Sequence, residues 1–293
     1  MTPHNYFIIG TGALLASFGI VFFLHSSLFT ITPISSGDAK DVATMQEEKF
    51  VEVPLLTPGK IVTSDPVRHY SVDVLYPKVS LGGHPQLAKE ANDVIGSFTH
   101  NAIDDFIKNV EARYSPSGPQ DFESDYTMRY NALLLSPTII SLDFNYSEYI
   151  AGSAHPNNRA RILNDDLRQH LLLSTIDLFA SSTTALPFLS NYTRNALKGI
   201  MADQPKEIFE QQTIPGTLPT HENFQEVALT QKGLLVIFNP YQVAPYARGA
   251  ILVPIPLSDL NGILSEPALE SIRLATSNII EATPENAKTE AAQ

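Results

Sequence analysis

A long segment with helical periodicity lies between segments with strand periodicity, and this order limits the chain to one class of fold. Apolar side chains recur every three or four residues from Pro85 to Tyr114, which predicts one amphipathic helix with proline in its first turn. The predicted buried stripe consists of Leu87, Ala91, Val94, Phe98, Ala102, Phe106 and Val110. Residues 69–79 before this helix, and residues 125–135 and 138–150 after it, alternate apolar and polar side chains as β-strands do. The short turn between the last two segments predicts an antiparallel hairpin.

The second half of the chain contains the same kinds of element. Residues 187–201 are predicted to form a helix, and its apolar stripe consists of Phe188, Tyr192, Ala196 and Ile200. Residues 225–238 read as a hairpin in which Gly233 can take a positive φ. Residues 250–260 read as an edge strand, because their two prolines cannot donate to a ladder. Strands, hairpins and helices without βαβ alternation predict an α+β fold, with an antiparallel sheet and helices packed on one face.

The N-terminal region is apolar enough to meet a membrane. Residues 1–36 contain no Lys, Arg, Asp or Glu, and Tyr6–Leu24 are interrupted only by Thr11 and Ser17. As a helix this run spans about 28 Å, close to the hydrocarbon thickness of a bilayer. We expect one N-terminal transmembrane helix at residues 6–24 that stays as a single-pass anchor. The alternative is a cleaved signal peptide and a secreted or periplasmic protein, and both alternatives place the rest of the chain outside the cytoplasm.

Composition shifts suggest five segments. Residues 1–31 are the anchor or uncleaved signal, and residues 32–65 are a linker rich in proline and polar side chains. Two α+β units follow at residues 66–150 and 151–275. Residues 276–293 are a polar tail.

Composition also excludes several chemistries. The chain has no cysteine, which rules out disulfides, thiolate metal sites and cysteine nucleophiles. Its formal net charge of -12 argues against nucleic acid as a partner, because phosphate binding requires a basic surface.

Catalytic and metal-binding patterns are weak. No two of the eight histidines have the HxH or HxxxH spacing of zinc ligands, and no GxSxG elbow occurs. The adjacent carboxylates of Asp165 and Asp166 are more typical of a cap than of an acid/base pair. We therefore predict no catalytic residue, no metal site and no cofactor, although carboxylates distant in sequence could still meet in a glycosidase-like site.

One histidine lies in an unusual loop. His155 falls within the segment GSAHP, between two predicted strands, where it could fix a turn or, with His84, hold a metal. We favour the turn, at the border of a binding surface. Tyrosine and arginine are frequent at binding surfaces, and several lie near this loop or in the segment NPYQVAPYARG. The candidate binding residues are Tyr149, His155, Asn157, Tyr241, Tyr246 and Arg248.

Four segments, in this order, carry a family resemblance: SLDFNYSEYIAGSAHP, LNDDLRQHLLLSTIDLF, FNPYQVAPYARG and ILVPIPLSDL. Together they resemble the extracytoplasmic domain of RsiV-type anti-sigma factors, which is also found in the N-terminal region of PdaC-type peptidoglycan deacetylases. The resemblance spans about residues 66–270. It makes residues 66–150 a PdaC-like unit and residues 151–275 an RsiV-like unit.

The resemblance implies a location and a role. It places the protein in the bacterial cell envelope, anchored in the cytoplasmic membrane with its C-terminal domain outside. It implies a non-catalytic binding or sensor domain, without sigma-factor inhibition or deacetylation, whose partner is a lysozyme-like protein or peptidoglycan. The alternatives are an envelope polysaccharide hydrolase or deacetylase-related enzyme, and a structural partner of another membrane protein.

Overall fold

A six-stranded sheet crossed by one long helix forms the larger part of the computed structural model, which describes residues 53–114 and 123–281. Its strands lie side by side in chain order. They are β1 (Leu55–Asp65), β2 (Tyr70–Ser80), β3 (Ser124–Leu135), β4 (Ile139–Tyr149), β5 (Asn157–Asp166) and β6 (Leu171–Leu173). Neighbouring strands are antiparallel except β2 and β3. That pair is parallel because the helix α1 (Pro85–Arg113) returns the chain to the starting edge between them.

A smaller antiparallel sheet follows, with strands β7 (Val227–Thr230), β8 (Gly233–Phe238) and β9 (Ile251–Pro256) in that order. The predicted hairpin joins β7 to β8, and Gly233 has φ +132. A side chain at Gly233 would also meet the carbonyl oxygen of Ile255, at 2.2 Å from the Cβ position. β9 lies at the sheet edge, as its two prolines predict.

Two further helices complete the fold, α2 (Ser182–Ile200) and α3 (Glu266–Glu281). A short irregular helical stretch covers Lys206–Ile208, Phe209–Thr213 and Ile214–Gly216. Single 3-10 turns occupy Thr175–Leu178, Glu222–Phe224, Tyr246–Arg248 and Leu257–Leu260.

The first hydrophobic core lies between α1 and one face of the six-stranded sheet. The helix buries Ala88, Ala91, Ile95, Thr99, Ile103, Phe106 and Val110. The predicted stripe is therefore only partly right, because Phe98 is half-buried and Ile95, Thr99 and Ile103 occupy the centre of the contact. Phe98 still packs on the sheet at the margin of the core, with its ring centroid 4.7 Å from that of Phe144.

The second core covers the opposite face, which corrects the prediction of helices on one face only. A register shift in β3 between Ala132 and Leu134 turns Leu134 away from α1. Leu134 and Ile139 join the core formed by the smaller sheet with α2 and α3. Residues 139–144 of β4 are consequently buried on both faces. The α+β class is confirmed, with antiparallel pairing in most of the sheet.

The observed strands and helices do not follow the predicted segment boundaries. Leu55–Asp65 form β1 and not the end of a linker, because Pro58 can be accommodated in an edge strand that leaves one side of its backbone unpaired. Helix α3 continues to Glu281, past the predicted start of the tail at residue 276. The six-stranded sheet also spans both predicted units, because β4 and β5 pair directly across residues 150 and 151.

The predicted anchor at residues 6–24 and most of the linker lie outside the described residues. Among the residues that the structure does describe, no helix is both long and apolar enough to cross a membrane.

The end of β5 carries the adjacent carboxylates. Asp166 accepts hydrogen bonds from the backbone N–H groups of Arg168 (2.9 Å) and Gln169 (3.0 Å), so it caps the turn into β6. Asp165 is 2% exposed, and burial raises the pKa of its carboxyl to about 6, with the charge of Asp166 adding to the rise and His170 opposing it.

The buried carboxyl makes stability depend on pH. The pKa of Asp165 is higher in the folded state than its usual value of 3.8, so its contribution to stability is complete below that value and is lost as the pH rises through about 6. We expect Asp165→Asn to be more stable than the unmodified protein at pH 7.5, by about 1–3 kcal/mol. Urea denaturation between pH 3.5 and 7.5 measures this gain, which should shrink as the pH falls below about 6 and vanish below 3.8. The exposed Asp104→Asn serves as control and should keep the original pH dependence.

Candidate functional site

A cavity of 510 Å³ lies between α1 and the ends of β3, β4 and β5, and we call it the α1 cavity. It arises because the residues of β5 that face α1 change from Leu163 to Arg161, Arg159 and Asn157 along the strand. These polar side chains do not complete the apolar core, so the second half of α1 stands over an open groove.

Aromatic rings form the wall of the α1 cavity. Phe98, Phe106, Tyr126 and Tyr146 all line it. The ring centroids of Phe106 and Tyr126 are 5.4 Å apart, and those of Tyr126 and Tyr146 are 5.7 Å apart. Burial raises the pKa of the Tyr126 hydroxyl, which therefore stays protonated at physiological pH. Phe106 and Tyr126 are almost fully buried, so the half-buried rings of Phe98 and Tyr146 present most of the accessible aromatic surface.

Polar groups form the rim of the α1 cavity. Its carboxylates and amides are those of Asn101, Asp105, Asn109, Glu148 and Asn157, and its cations are Arg159 and Arg161. The Asn109 side-chain amide donates to Glu148 Oε1 at 3.1 Å, which ties the helix to β4 at one end of the cavity.

A second cluster lies beside this cavity and consists of His155, Tyr241 and Tyr246, which we call the tyrosine cluster. The His155 ring stacks on that of Tyr246 with centroids 4.1 Å apart, and its Nε2 lies 3.2 Å from the Tyr241 hydroxyl. Tyr241 is 59% exposed and has a positive φ of 71°. A non-glycine residue in this backbone region is uncommon, so the loop that presents Tyr241 is held by its surroundings.

Hydrogen bonds fix the histidine tautomer. His155 Nδ1 lies 2.8 Å from the Pro156 carbonyl oxygen, which can only accept, so Nδ1 carries the hydrogen. In the neutral ring Nε2 therefore accepts from the Tyr241 hydroxyl. The Tyr246 hydroxyl donates to the same Pro156 oxygen at 2.7 Å and accepts from the Asn158 amide at 2.9 Å. The histidine thus fixes a turn and positions two tyrosines.

The predicted binding residues are only partly brought together. His155, Tyr241 and Tyr246 form the tyrosine cluster, and Asn157 lines both the α1 cavity and a 230 Å³ cavity beside His155. Arg248 instead forms an ion pair with Asp203. Tyr149 lies on the opposite face of β4 from Glu148, because side chains alternate along a strand.

Two residues that the sequence interpretation missed close the open edge of β5. The Asn239 side chain accepts from the Ala160 N–H at 2.7 Å and donates to the Ala160 carbonyl at 3.1 Å, as a neighbouring strand would. Glu226 accepts from the Ile162 N–H at 2.7 Å. No local pattern identifies these side chains, because their partners are 79 and 64 positions away.

Glu226 also contacts one of the two arginines that line the α1 cavity. Its side chain is 9% exposed and its Oε1 lies 3.3 Å from Arg161 Nε. Burial raises the pKa of Glu226, while the Ile162 hydrogen bond and the nearby arginines lower it. Within the described residues no group of three or more His, Asp or Glu side chains has the arrangement of a metal site.

Part of the chain is similar to a known protein family. Residues 176–258 match the family described as "Protein of unknown function (DUF3298)". This segment contains α2, the smaller sheet, Glu226, Asn239 and two members of the tyrosine cluster. Residues 176–258 of this α+β fold are therefore similar to the DUF3298 family.

A curated relative is also similar to this chain. The chain is 26% identical over 188 residues to the peptidoglycan-N-acetylmuramic acid deacetylase PdaC of Bacillus subtilis (strain 168), an alignment that covers 60% of this chain and 39% of that protein. The chain thus spans about two fifths of the length of this curated relative. The resemblance to PdaC-type proteins predicted from the sequence is confirmed.

Two crystal structures share the fold. A DUF3298 family protein from Pseudomonas aeruginosa PAO1 superposes with a TM-score of 0.51 at 14% identity, covering 73% of this chain and 95% of that one. A member of the same family from Bacteroides fragilis NCTC 9343 gives 0.50 at 19% identity, covering 76% and 97%. At these identities the likeness concerns the fold alone.

Proposed function

We propose that this protein is a non-catalytic, membrane-tethered binding domain of the bacterial cell envelope, and that its ligand is cell-wall glycan. The observation that carries the proposal is the α1 cavity, which combines an aromatic wall with amide, carboxylate and guanidinium groups on its rim. Its 510 Å³ volume is within the range of small-ligand sites. The relative PdaC acts on peptidoglycan, according to its name, which supports the same class of ligand.

The chemistry of the cavity suits a sugar. The apolar faces of sugar rings pack against aromatic rings, and sugar hydroxyls both donate and accept hydrogen bonds. Asn101 and Asn157 stand on opposite sides of the cavity, on α1 and β5, and each offers one acceptor and two donors. The tyrosine cluster extends this surface beyond the cavity through Asn157, which borders both.

A protein ligand is the second candidate, and the exposure of Tyr241 favours it. Exposed tyrosines are typical of protein-binding surfaces, and Tyr241 stands out from the tyrosine cluster. In this alternative a lysozyme-like protein contacts the cluster while the α1 cavity stays free.

Sedimentation with purified peptidoglycan tests the glycan proposal. We expect the full-length protein in detergent to bind insoluble peptidoglycan, and the Asn101→Ala/Asn157→Ala double variant to bind at least tenfold more weakly. The two exposed asparagines contribute hydrogen bonds to the ligand and little to the fold.

The matched control is Asn191→Ala/Asn195→Ala, which removes two exposed amides from α2 and should bind like the unmodified protein. Equal loss in both double variants would contradict a site in the α1 cavity. Binding to lysozyme that is weakened by Tyr241→Ala, without binding to peptidoglycan, would favour the protein ligand.

A further inference from the structure

Two arginines stand where several cavities meet. Arg159 lines the α1 cavity, a 350 Å³ cavity that includes Tyr241, and a 450 Å³ cavity that includes Tyr246. Arg161 lines the first two. They are two positions apart on β5, so both side chains extend from the same face of the strand.

The two guanidinium groups differ in their partners. Arg161 is oriented by the buried Glu226, which contacts its Nε. Arg159 has no carboxylate within ion-pair distance among the described residues, although Glu226 acts on it at longer range. By contrast, Arg68, Arg129, Arg168, Arg248 and Arg273 each pair with a carboxylate. Arg113 and Arg194 also lack a carboxylate partner, but their guanidinium groups donate hydrogen bonds to Ser153 and Thr217, whereas among the described residues the Arg159 guanidinium makes neither a hydrogen bond nor an ion pair.

Negative and positive side chains lie at different positions along the α1 cavity. In the β4–β5 pairing Glu148 lies opposite Asn157, Tyr146 opposite Arg159, and Phe144 opposite Arg161. The carboxylate of Glu148 therefore stands at one end of the cavity and the cations stand at the middle and the other end. An anionic group on a ligand would be repelled near Glu148 and attracted near Arg159.

We propose that Arg159, assisted by Arg161, binds a carboxylate of the ligand, and that the site therefore selects acidic cell-wall glycan over neutral glycan. This inference rests on the proposed function and adds the class of ligand. Guanidinium recognises carboxylate through paired N–H donors, which gives geometry as well as charge. In peptidoglycan the carboxylate belongs either to the lactyl ether of muramic acid or to the stem peptide.

Calorimetric titration of the full-length protein with three probes tests the inference. The probes are peptidoglycan glycan strands stripped of peptide, chitooligosaccharides of the same length, and the free stem peptide. We expect the stripped strands to bind at least tenfold more tightly than the neutral chitooligosaccharides, with a preference that shrinks as salt rises. Tight binding of the free stem peptide that depends on Arg159 would also support carboxylate recognition and would assign the carboxylate to the peptide.

Substitutions then test whether Arg159 is responsible for the preference for stripped strands over chitooligosaccharides. Arg159→Gln should abolish the preference for stripped strands over chitooligosaccharides, whereas Arg159→Lys should keep part of it, because lysine retains the charge without the paired donors. The control Arg168→Gln removes an exposed arginine that pairs with Glu270 at 3.2 Å, and it should keep the preference. Circular dichroism of each variant checks the fold.

The outcomes separate the two proposals. Equal affinity of the unmodified protein for acidic and neutral glycans would overturn carboxylate selection while leaving glycan binding intact. A preference that survives Arg159→Gln would place the selection elsewhere and overturn the assignment. Binding to none of the three probes would overturn the proposed function together with this inference.

Discussion

Replacing Phe106 by alanine should lower the free energy of unfolding by about 3–5 kcal/mol, the usual cost of deleting a buried aromatic side chain. Phe106 is 1% exposed, and its ring packs against Tyr70 (6.0 Å between centroids) and Tyr126 (5.4 Å). The substitution would leave a cavity between α1 and β2–β3 that rigid neighbouring strands cannot close. Equilibrium urea denaturation monitored by circular dichroism measures the loss.

Phe98→Ala provides the matched comparison on the same helix. Phe98 is only half-buried, at the wall of the α1 cavity, so its loss should cost roughly half as much. If both variants lose the same stability, Phe106 does not occupy the centre of the contact between α1 and the sheet.

Replacing Asn164 by alanine should cost about 2–6 kcal/mol, because it leaves two buried backbone groups unpaired at about 1–3 kcal/mol each. The Asn164 amide donates to the Val227 carbonyl at 2.9 Å and accepts from the Leu229 N–H at 3.2 Å. Through these bonds one buried side chain of β5 joins the six-stranded sheet to β7 of the smaller sheet. Thermal and urea denaturation should both show the loss.

Asn158→Ala is the control on the same strand. Asn158 is exposed, and within the described part of the chain its side chain hydrogen-bonds only to the Tyr246 hydroxyl, so its loss should cost no more than about 1 kcal/mol. A loss at Asn164 as small as that at Asn158 would mean that the Asn164 hydrogen bonds contribute little to holding the two sheets together.

Apolar periodicity and turn residues in the sequence predicted the helices and hairpins. The start of α1 at Pro85, the hairpin between β3 and β4, and the hairpin at Gly233 were all predicted and are all present. These features depend on residues within a few positions of one another. Local backbone preference and side-chain alternation therefore identify them without knowledge of the partners.

The buried face of each helix was predicted less well. Both stripes lie about one residue from the observed face, where Thr99 in α1 and Thr193 in α2 are fully buried. Thr193 satisfies its hydroxyl with the Leu189 carbonyl of its own helix at 2.7 Å, so a polar residue can enter the core at low cost. A search for apolar periodicity excludes such residues and shifts the predicted face.

The site itself was decided by the tertiary structure. His155 meets Tyr241 across 86 positions, and Asn239 completes the edge of β5 across 79. Arg248, which the sequence placed in the site, is drawn instead to Asp203. Composition and motifs determine which side chains are available to a binding surface, but contacts between distant residues depend on how strands and loops pack, and no local pattern encodes that packing.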